Sequence, residues 1–486
     1  MPDTAATALT LGLDLGTSAV KAVVLDAGGT ELAVATGAFP TVSVQPGQAE
    51  QDPAEWLAAV AETASSLDAV LGGRLPGWRD RIAAVGLAGQ LPTLVCSAHG
   101  RPLGRAVTWK DARADAWASQ AIDPSERRRL YERTGMPIDG RYLGPMFRYH
   151  WVERAAEVED VLSAKDFLCC ALTGQRVTDP STAVGYAAFE LATGAFSDEL
   201  CERWRLPART LPAVRPAHAL AGTLTEAGGR LLGLGSRVPV TVGAADSVAG
   251  AYAMAGLATG VVCITMGSST IILDAIRERC LDPGSRYLLT PHVEPGWYGR
   301  EMDLLATGSG YAWLTALFGF ADGELETRAA AVPPGARGVT FTPYLAGGEQ
   351  GALWDPTLCG SIRGLRLAHG ADDIARAFVE GVAFEIRRCL DVLAETAPIE
   401  RVVVSGHIVD RAGSLQMLAD VLARPVQPCR LASTAAVGAA LGARVLAGLA
   451  TAADAPRAAS AAEVVQPGAD AAVYQRLYAH YRATTP

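Results

Sequence analysis

The chain has 486 residues, of which half are apolar, 19% charged and 6% aromatic. That composition supplies a sizeable core and excludes a disordered or collagen-like chain. A net charge of −9 argues against a nucleic-acid or anionic-membrane partner.

At roughly 150 residues per domain the length allows two to four domains. Nine cysteines carry no CxxC pair, and the seven histidines lie far apart. The pattern fits reduced thiols in a cytoplasmic protein and offers no zinc site. Residues 1–9 lack the basic-then-apolar order of a secretion signal. Ser247 to Leu273 is uncharged but broken by glycines and by Gly267-Ser268-Ser269-Thr270. It reads as a buried small-residue helix, a strand and a turn, not a membrane span.

In chain order, Leu9 to Leu13 reads as a strand ending at Asp14, Gly16-Thr17-Ser18 as a turn, and Ala19 to Leu25 as the strand back. A third strand fits Glu31 to Phe39. Asp52-Pro53 supplies an N-cap with proline in the first turn of a helix. Ile82 to Leu87 and Leu94 to Cys96 read as strands joined through Gly89-Gln90. In the second half Val261 to Thr265, Gly267-Ser268-Ser269 and Thr270 to Leu273 repeat the strand, glycine-hydroxyl turn and return strand. An echo about 250 residues apart predicts two related domains of α/β class, divided near residue 250 into 1–250 and 251–486. Further on come a long helix (Asp372 to Glu395), a strand (Arg401 to Val404) and helices over Ser414 to Leu422 and Ala435 to Leu446.

Turns of glycine and hydroxyl residues present backbone N–H and short O–H donors, which suit phosphate oxygens, although most such turns are only turns. Two of them on matching hairpins could hold a polyphosphate between two lobes. Asp14, at a strand end, could orient the waters of a phosphate-bound Mg²⁺ or simply cap the turn. Asp246, among small residues before an apolar helix, is open to a substrate or is a helix N-cap.

Leu11-Gly12-Leu13-Asp14-Leu15-Gly16-Thr17-Ser18, Val107-Thr108-Trp109-Lys110-Asp111-Ala112-Arg113 and Gly243-Ala244-Ala245-Asp246 resemble the FGGY carbohydrate kinases, nearest the xylulokinase branch. So do Thr342-Pro343-Tyr344-Leu345-Ala346-Gly347-Gly348-Glu349, Trp354-Asp355-Pro356 and Glu380-Gly381-Val382-Ala383-Phe384-Glu385, all in family order. The resemblance implies two ribonuclease-H-like domains of the actin/Hsp70/sugar kinase superfamily, closing over Mg·ATP and a sugar or polyol. Family members are often dimers. It makes Asp246 the catalytic base and Asp14 the metal-associated aspartate. Gly16, Thr17, Ser18 and Lys21 match the first phosphate loop, Gly267 and Ser268 the second, and Gly308 a nucleotide-contacting glycine. Gln90, Leu91, Pro92, Trp109, Asp111 and Arg113 match the sugar side, together with Asp246.

Two departures stand out. Gly89-Gln90-Leu91-Pro92-Thr93 replaces Gly-Gln-Met-His-Gly, which removes a histidine and a backbone donor from the sugar site. At the adenosine site Ser405-Gly406-His407-Ile408 replaces a glycine-rich run, so His407 and Ile408 are expected to bring side chains into that space. Arg411 takes a Ser/Asn position there, where it stacks on adenine or fills the pocket. A catalytically silent homologue that senses a sugar or nucleotide is the alternative these departures motivate.

Overall fold

A computed structural model describes residues 7–346, 351–355, 357–411, 413–454 and 463–486. Gly347, Gly348, Glu349 and Pro356 of the motifs above lie outside the described residues.

The first sheet begins with β1 (Leu9–Leu15), β2 (Ala19–Leu25) and β3 (Glu31–Ala38). Every residue of β1 is buried, the apolar run of a central strand covered on both faces. Helix α1 (Pro53–Leu71) starts where Asp52 accepts a hydrogen bond from the Ala54 N–H, with proline in its first turn as predicted. β4 (Ile82–Gly89) follows, then the buried helix α2 (Ala164–Thr173). β5 (Leu220–Thr223), β6 (Pro239–Thr241) and the two-residue β7 (Ala244–Ala245) complete the sheet. The order is β5-β6-β4-β1-β2-β3, with β7 also on β4. Helix α3 (Asp246–Ala255) runs across position 250.

The second sheet contains β8 (Val261–Met266), β9 (Thr270–Ile276), β10 (Leu288–Pro291) and β11 (Tyr298–Leu304). Helices α4 (Gly308–Phe318) and α5 (Ala371–Ala394) separate these from β12 (Arg401–Gly406) and β13 (Val426–Pro428). The order is β10-β11-β9-β8-β12-β13. In both sheets the leading strand pairs antiparallel with its return strand and parallel with the strand beyond. The repeated grammar in the sequence is therefore a repeated topology. The uncharged stretch from Ser247 resolves into α3, β8, a turn and β9, and no helix among the described residues is long and apolar enough to cross a membrane.

Two further helices close the chain, α6 (Thr434–Leu446) and α7 (Ala471–Thr484). α6 lies on the first sheet although it follows the second in sequence. A Cβ on Gly12 would sit 2.0 Å from the Ala436 carbonyl oxygen, and one on Gly86 1.8 Å from that of Ala439. Gly438 meets Ala249 of α3 with the same closeness, 1.9 Å. Only glycine permits this backbone-to-backbone approach. α7, which the sequence reading leaves unassigned, buries Tyr474, Tyr478 and Tyr481, the i, i+4, i+7 stripe of an amphipathic helix, against Phe384 of α5.

Candidate active site

Asp246 is delivered by a short, constrained segment. Gly243 has φ +84°, and a Cβ there would lie 2.3 Å from the Leu87 carbonyl oxygen. β7 then pairs with the end of β4, Ala244 beside Ala88 and Ala245 beside Gly89, and α3 opens at Asp246. The underside is held by buried polar groups. The Ala245 N–H donates to Ser181 Oγ at 2.9 Å, and Ser181 Oγ donates to Asp179. Lys165, fully buried, reaches Asp179 at 3.2 Å and Asp166 at 2.8 Å and donates to the Val242 carbonyl at 3.0 Å. A buried cation thus fixes the chain on either side of the turn that presents Asp246.

Four carboxylates meet at this floor. β1 brings Asp14 and α3 brings Asp246, while β11 brings Glu301 and Asp303, which the sequence reading does not single out. Residues two apart on a strand share a face. Met302 and Leu304 point into the second core, and Arg300 pairs with Asp274, Nε to Oδ1 3.0 Å. Glu301 and Asp303 take the opposite face. Thr290 donates to Glu301 at 3.3 Å. Desolvation raises all four above the usual carboxylate range. Burial lifts Asp14 to about 6 against the pull of Lys21. Burial and then Asp303 take Glu301 to about 8, and burial and then Asp246 take Asp303 to about 7. Asp246 is raised well above its ordinary value by burial, with the charges of Asp14 and Glu301 adding to it.

Above the floor is a cavity of about 170 Å³, walled by Thr17, Leu91, Pro92, Trp109 and Arg141 from the first half and by Glu301, Asp303 and Trp354 from the second. It adjoins a wider space of about 1060 Å³ between Trp109 and Lys110 on one side and Ser268, Ser309 and Trp354 on the other. Trp109 is fixed by donating from Nε1 to Thr17 Oγ1 at 3.1 Å, so the first turn and the acceptor wall are coupled.

The other sequence-predicted sugar residues divide. Leu91 and Pro92 line the cavity. Gln90 is buried behind it and donates to Gln51 at 2.9 Å, and Gln51 in turn donates to the Thr17 carbonyl. Asp111 and Arg113 do not line the cavity, which corrects the expectation of direct sugar contact. Asp111 accepts from the Ala49 N–H at 2.9 Å and from Arg113, whose other hydrogen bond goes to Glu50. Their charges are spent pinning the strand Ala106–Thr108 to Glu50–Gln51.

The two glycine-hydroxyl turns flank the cleft. The Gly16 N–H donates to the Ala19 carbonyl at 3.1 Å and that of Gly267 to Ser269 at 2.8 Å; Ser18 accepts from Phe39 N–H through its carbonyl. Lys21 faces Asp14 across the β1–β2 register. Gly308 starts α4 directly on the second turn, its N–H donating to the Gly267 carbonyl and that of Ser309 to Ser268. Gly406 has φ +99° and is exposed, with its Cβ direction 2.0 Å from the Met266 carbonyl oxygen. The expectation for Ile408 is corrected: it is 4% exposed and packs in the second core. The short 3₁₀ turn after Gly406 rotates it inward. His407 Nδ1 sits 3.1 Å from the Met266 carbonyl, edge-on to Tyr311. Arg411 lies 3.6 Å from both Asp322 and Glu326.

A nucleotide-bound Mg²⁺ fits the residues present. No three His, Cys, Asp or Glu side chains form a ready cation cage among the described residues. Mg²⁺ usually keeps several waters and binds through one or two carboxylates plus phosphates. Asp14 Oδ1, buried with no hydrogen-bond partner, has the chemistry of such a ligand.

The comparisons with known proteins agree with this geometry. The model of the FGGY family of carbohydrate kinases, N-terminal domain, matches residues 9–253, and that of its C-terminal domain matches 262–447. The chain belongs to the FGGY carbohydrate kinases. It is 32% identical to a glycerol kinase of Gloeobacter violaceus over 450 residues, 89% of this chain and 87% of that one. A gluconokinase of Bacillus licheniformis is 25% identical, covering 85% and 83%. The crystal structure of xylulose kinase from Rhodospirillum rubrum superposes with a TM-score of 0.85 at 29% identity, covering 98% of both chains. The architecture is thus the two-domain fold of the sugar kinases, actin and Hsp70. This FGGY kinase is an enzyme that phosphorylates a sugar or polyol.

Proposed function

We propose that the FGGY kinase catalyses ATP-dependent phosphorylation of a hydroxyl of a ketose- or polyol-type acceptor, in the cytoplasm, with residues 1–250 and 251–486 as its two working domains. The observation that carries this reading is Asp246 at the floor of a cavity walled by both halves, beside Asp14 and between the two glycine-hydroxyl turns. Asp246 accepts the acceptor's hydroxyl proton as that oxygen becomes the nucleophile, a contribution of about 10²- to 10⁴-fold. Leu91, Pro92 and Trp109 position the acceptor, while Gln90, Asp111 and Arg113 hold their loops from behind. Gly16, Thr17, Ser18 and Lys21 bind phosphate oxygens from one side; Gly267, Ser268 and Gly308 bind them from the other. Gly406 leaves room for the nucleoside, and Arg411 borders it. Mg²⁺, when bound at Asp14 and the phosphates, supplies charge neutralisation.

Calorimetric titration with Mg·ATP, followed by ADP release with a panel of ketoses and polyols, tests the reading. Saturable ATP binding and acceptor-dependent ADP release are expected; ATP binding without ADP release for any acceptor would favour a silent sensor. Gly308→Ala is expected to weaken ATP binding about tenfold or more, about 1.4 kcal/mol, because its Cβ would lie 2.1 Å from the Gly267 carbonyl oxygen. Unchanged affinity in the same titration would remove the second turn from the phosphate site.

A further inference from the structure

The relatives named above act on a neutral triol, a neutral ketose and a sugar acid, so the acceptor's charge is open. Among the described residues, the carboxyl and cationic side chains lining the 170 Å³ cavity are Asp139, Asp246, Glu301, Asp303 and Arg141, four carboxyls to one guanidinium. The guanidinium is already committed, because Arg141 Nε donates to Asp139 Oδ2 at 3.1 Å and its terminal nitrogen donates to the same oxygen. Among the described residues Arg141 is the one cation on this wall, and its charge is already paired with Asp139.

We infer that the acceptor is an uncharged polyhydroxylated molecule, and that Glu301 and Asp303 are specificity-determining residues that accept its hydroxyl protons and turn away carboxylate-bearing analogues. The inference rests on the kinase reading and names the class of acceptor its cavity takes. Carboxylate oxygens are acceptors, and a polyol offers a matching row of O–H donors. Asp303 Oδ1 is buried with no hydrogen-bond partner and lines the cavity, so an acceptor hydroxyl satisfies it. An aldonate brings a fifth carboxyl group into an enclosure whose own carboxyls are held protonated up to about 7 and 8 at Asp303 and Glu301, so a further negative charge is disfavoured there. The burial that raises the floor carboxylates acts equally on a carboxylate carried in by the acceptor.

The test is equilibrium binding of xylitol, D-xylulose and D-gluconate to the whole enzyme, read by tryptophan fluorescence, which Trp109 and Trp354 report from the cavity wall. Binding of at least one neutral probe, with gluconate weaker by about 100-fold or more, is expected. Gluconate binding as tightly as the best neutral probe overturns the inference, as does binding of none of the three. Glu301→Gln should narrow the preference by about tenfold through gain of gluconate binding. Asp303→Asn, at a less buried position, provides the same readout if the first variant does not fold, and an unmoved ratio in the folded variant removes these residues from the role. Failure of the kinase reading looks different: a probe that binds but never elicits ADP release from Mg·ATP.

Discussion

Replacing Asp246 by asparagine is expected to reduce turnover by about 10²- to 10⁴-fold while ATP binding stays near wild type. The amide keeps the shape and the Ser247 N–H contact, 2.8 Å from Oδ1, but takes no proton. Stability separates loss of the base from misfolding. Asp246, Glu301 and Asp303 all have folded-state pKa values above their unfolded ones. The folded state therefore holds protons that the unfolded chain has released, and stability falls as pH rises from about 4 towards 8. Removing one of these charges relieves that cost, so Asp246→Asn should melt at a higher temperature than wild type at pH 8. A variant that lost activity and melted earlier would point to damage instead. The wild-type pH profile follows from the same sign: the base works as a carboxylate, so kcat/KM should fall on acidification with an apparent midpoint well above the ordinary aspartate value. The midpoint belongs to the four carboxylates together. A flat profile down to pH 5 would show that Asp246 is not held up by its surroundings.

The second large effect is expected at Lys165. Burial opposes its charge, but Asp166 and Asp179 outweigh that and raise its pKa. Lys165→Met leaves two fully buried carboxylates without their cation. Breaking a buried pair from one side costs about 3–5 kcal/mol, read by denaturant unfolding of the enzyme. Adding Asp179→Asn to Lys165→Met should recover part of the loss, because the partners are coupled. A single-variant loss under about 1 kcal/mol would mean that water or a rearranged partner reaches Asp179, and the support assigned to the Val242–Ala245 segment would fail. Since that segment carries Asp246, the variant should lower kcat more than it raises KM for the acceptor.

The hairpin echo was legible in the sequence because it depends on local chemistry, glycine and hydroxyl turns between paired strands; for Asp14 and Asp246 local chemistry left a cap as the alternative, and the family resemblance singled them out. Glu301 and Asp303 were not legible. Their i, i+2 spacing on β11 was visible, but which face met the cleft depended on β11 packing beside β9. The opposite error arose at Asp111 and Arg113. Their motif was plain, yet their partners Ala49 and Glu50 lie some sixty residues away, just before and on a two-residue strand, Glu50–Gln51, with no sequence signature. Ile408 likewise read as an intruder in the nucleotide space until the turn after Gly406 directed it into the core. Tyr474, Tyr478 and Tyr481 carried a readable stripe, and their partners Glu380, Asp391 and Glu385 sit on α5, about ninety residues earlier.

The glycine contact of α6 with the first sheet has a consequence for how the molecule is made. Gly12 and Gly86 leave the ribosome early, and the helix that covers them, from Thr434 onward, is synthesised more than 340 residues after Gly86. At about 5–20 residues per second, translation separates the two by roughly 20–70 seconds. Throughout that interval the nascent first domain presents an uncovered glycine-lined groove, so its completion waits for residues 434–446. Premature termination before residue 434 should yield a chain that is unfinished at its beginning.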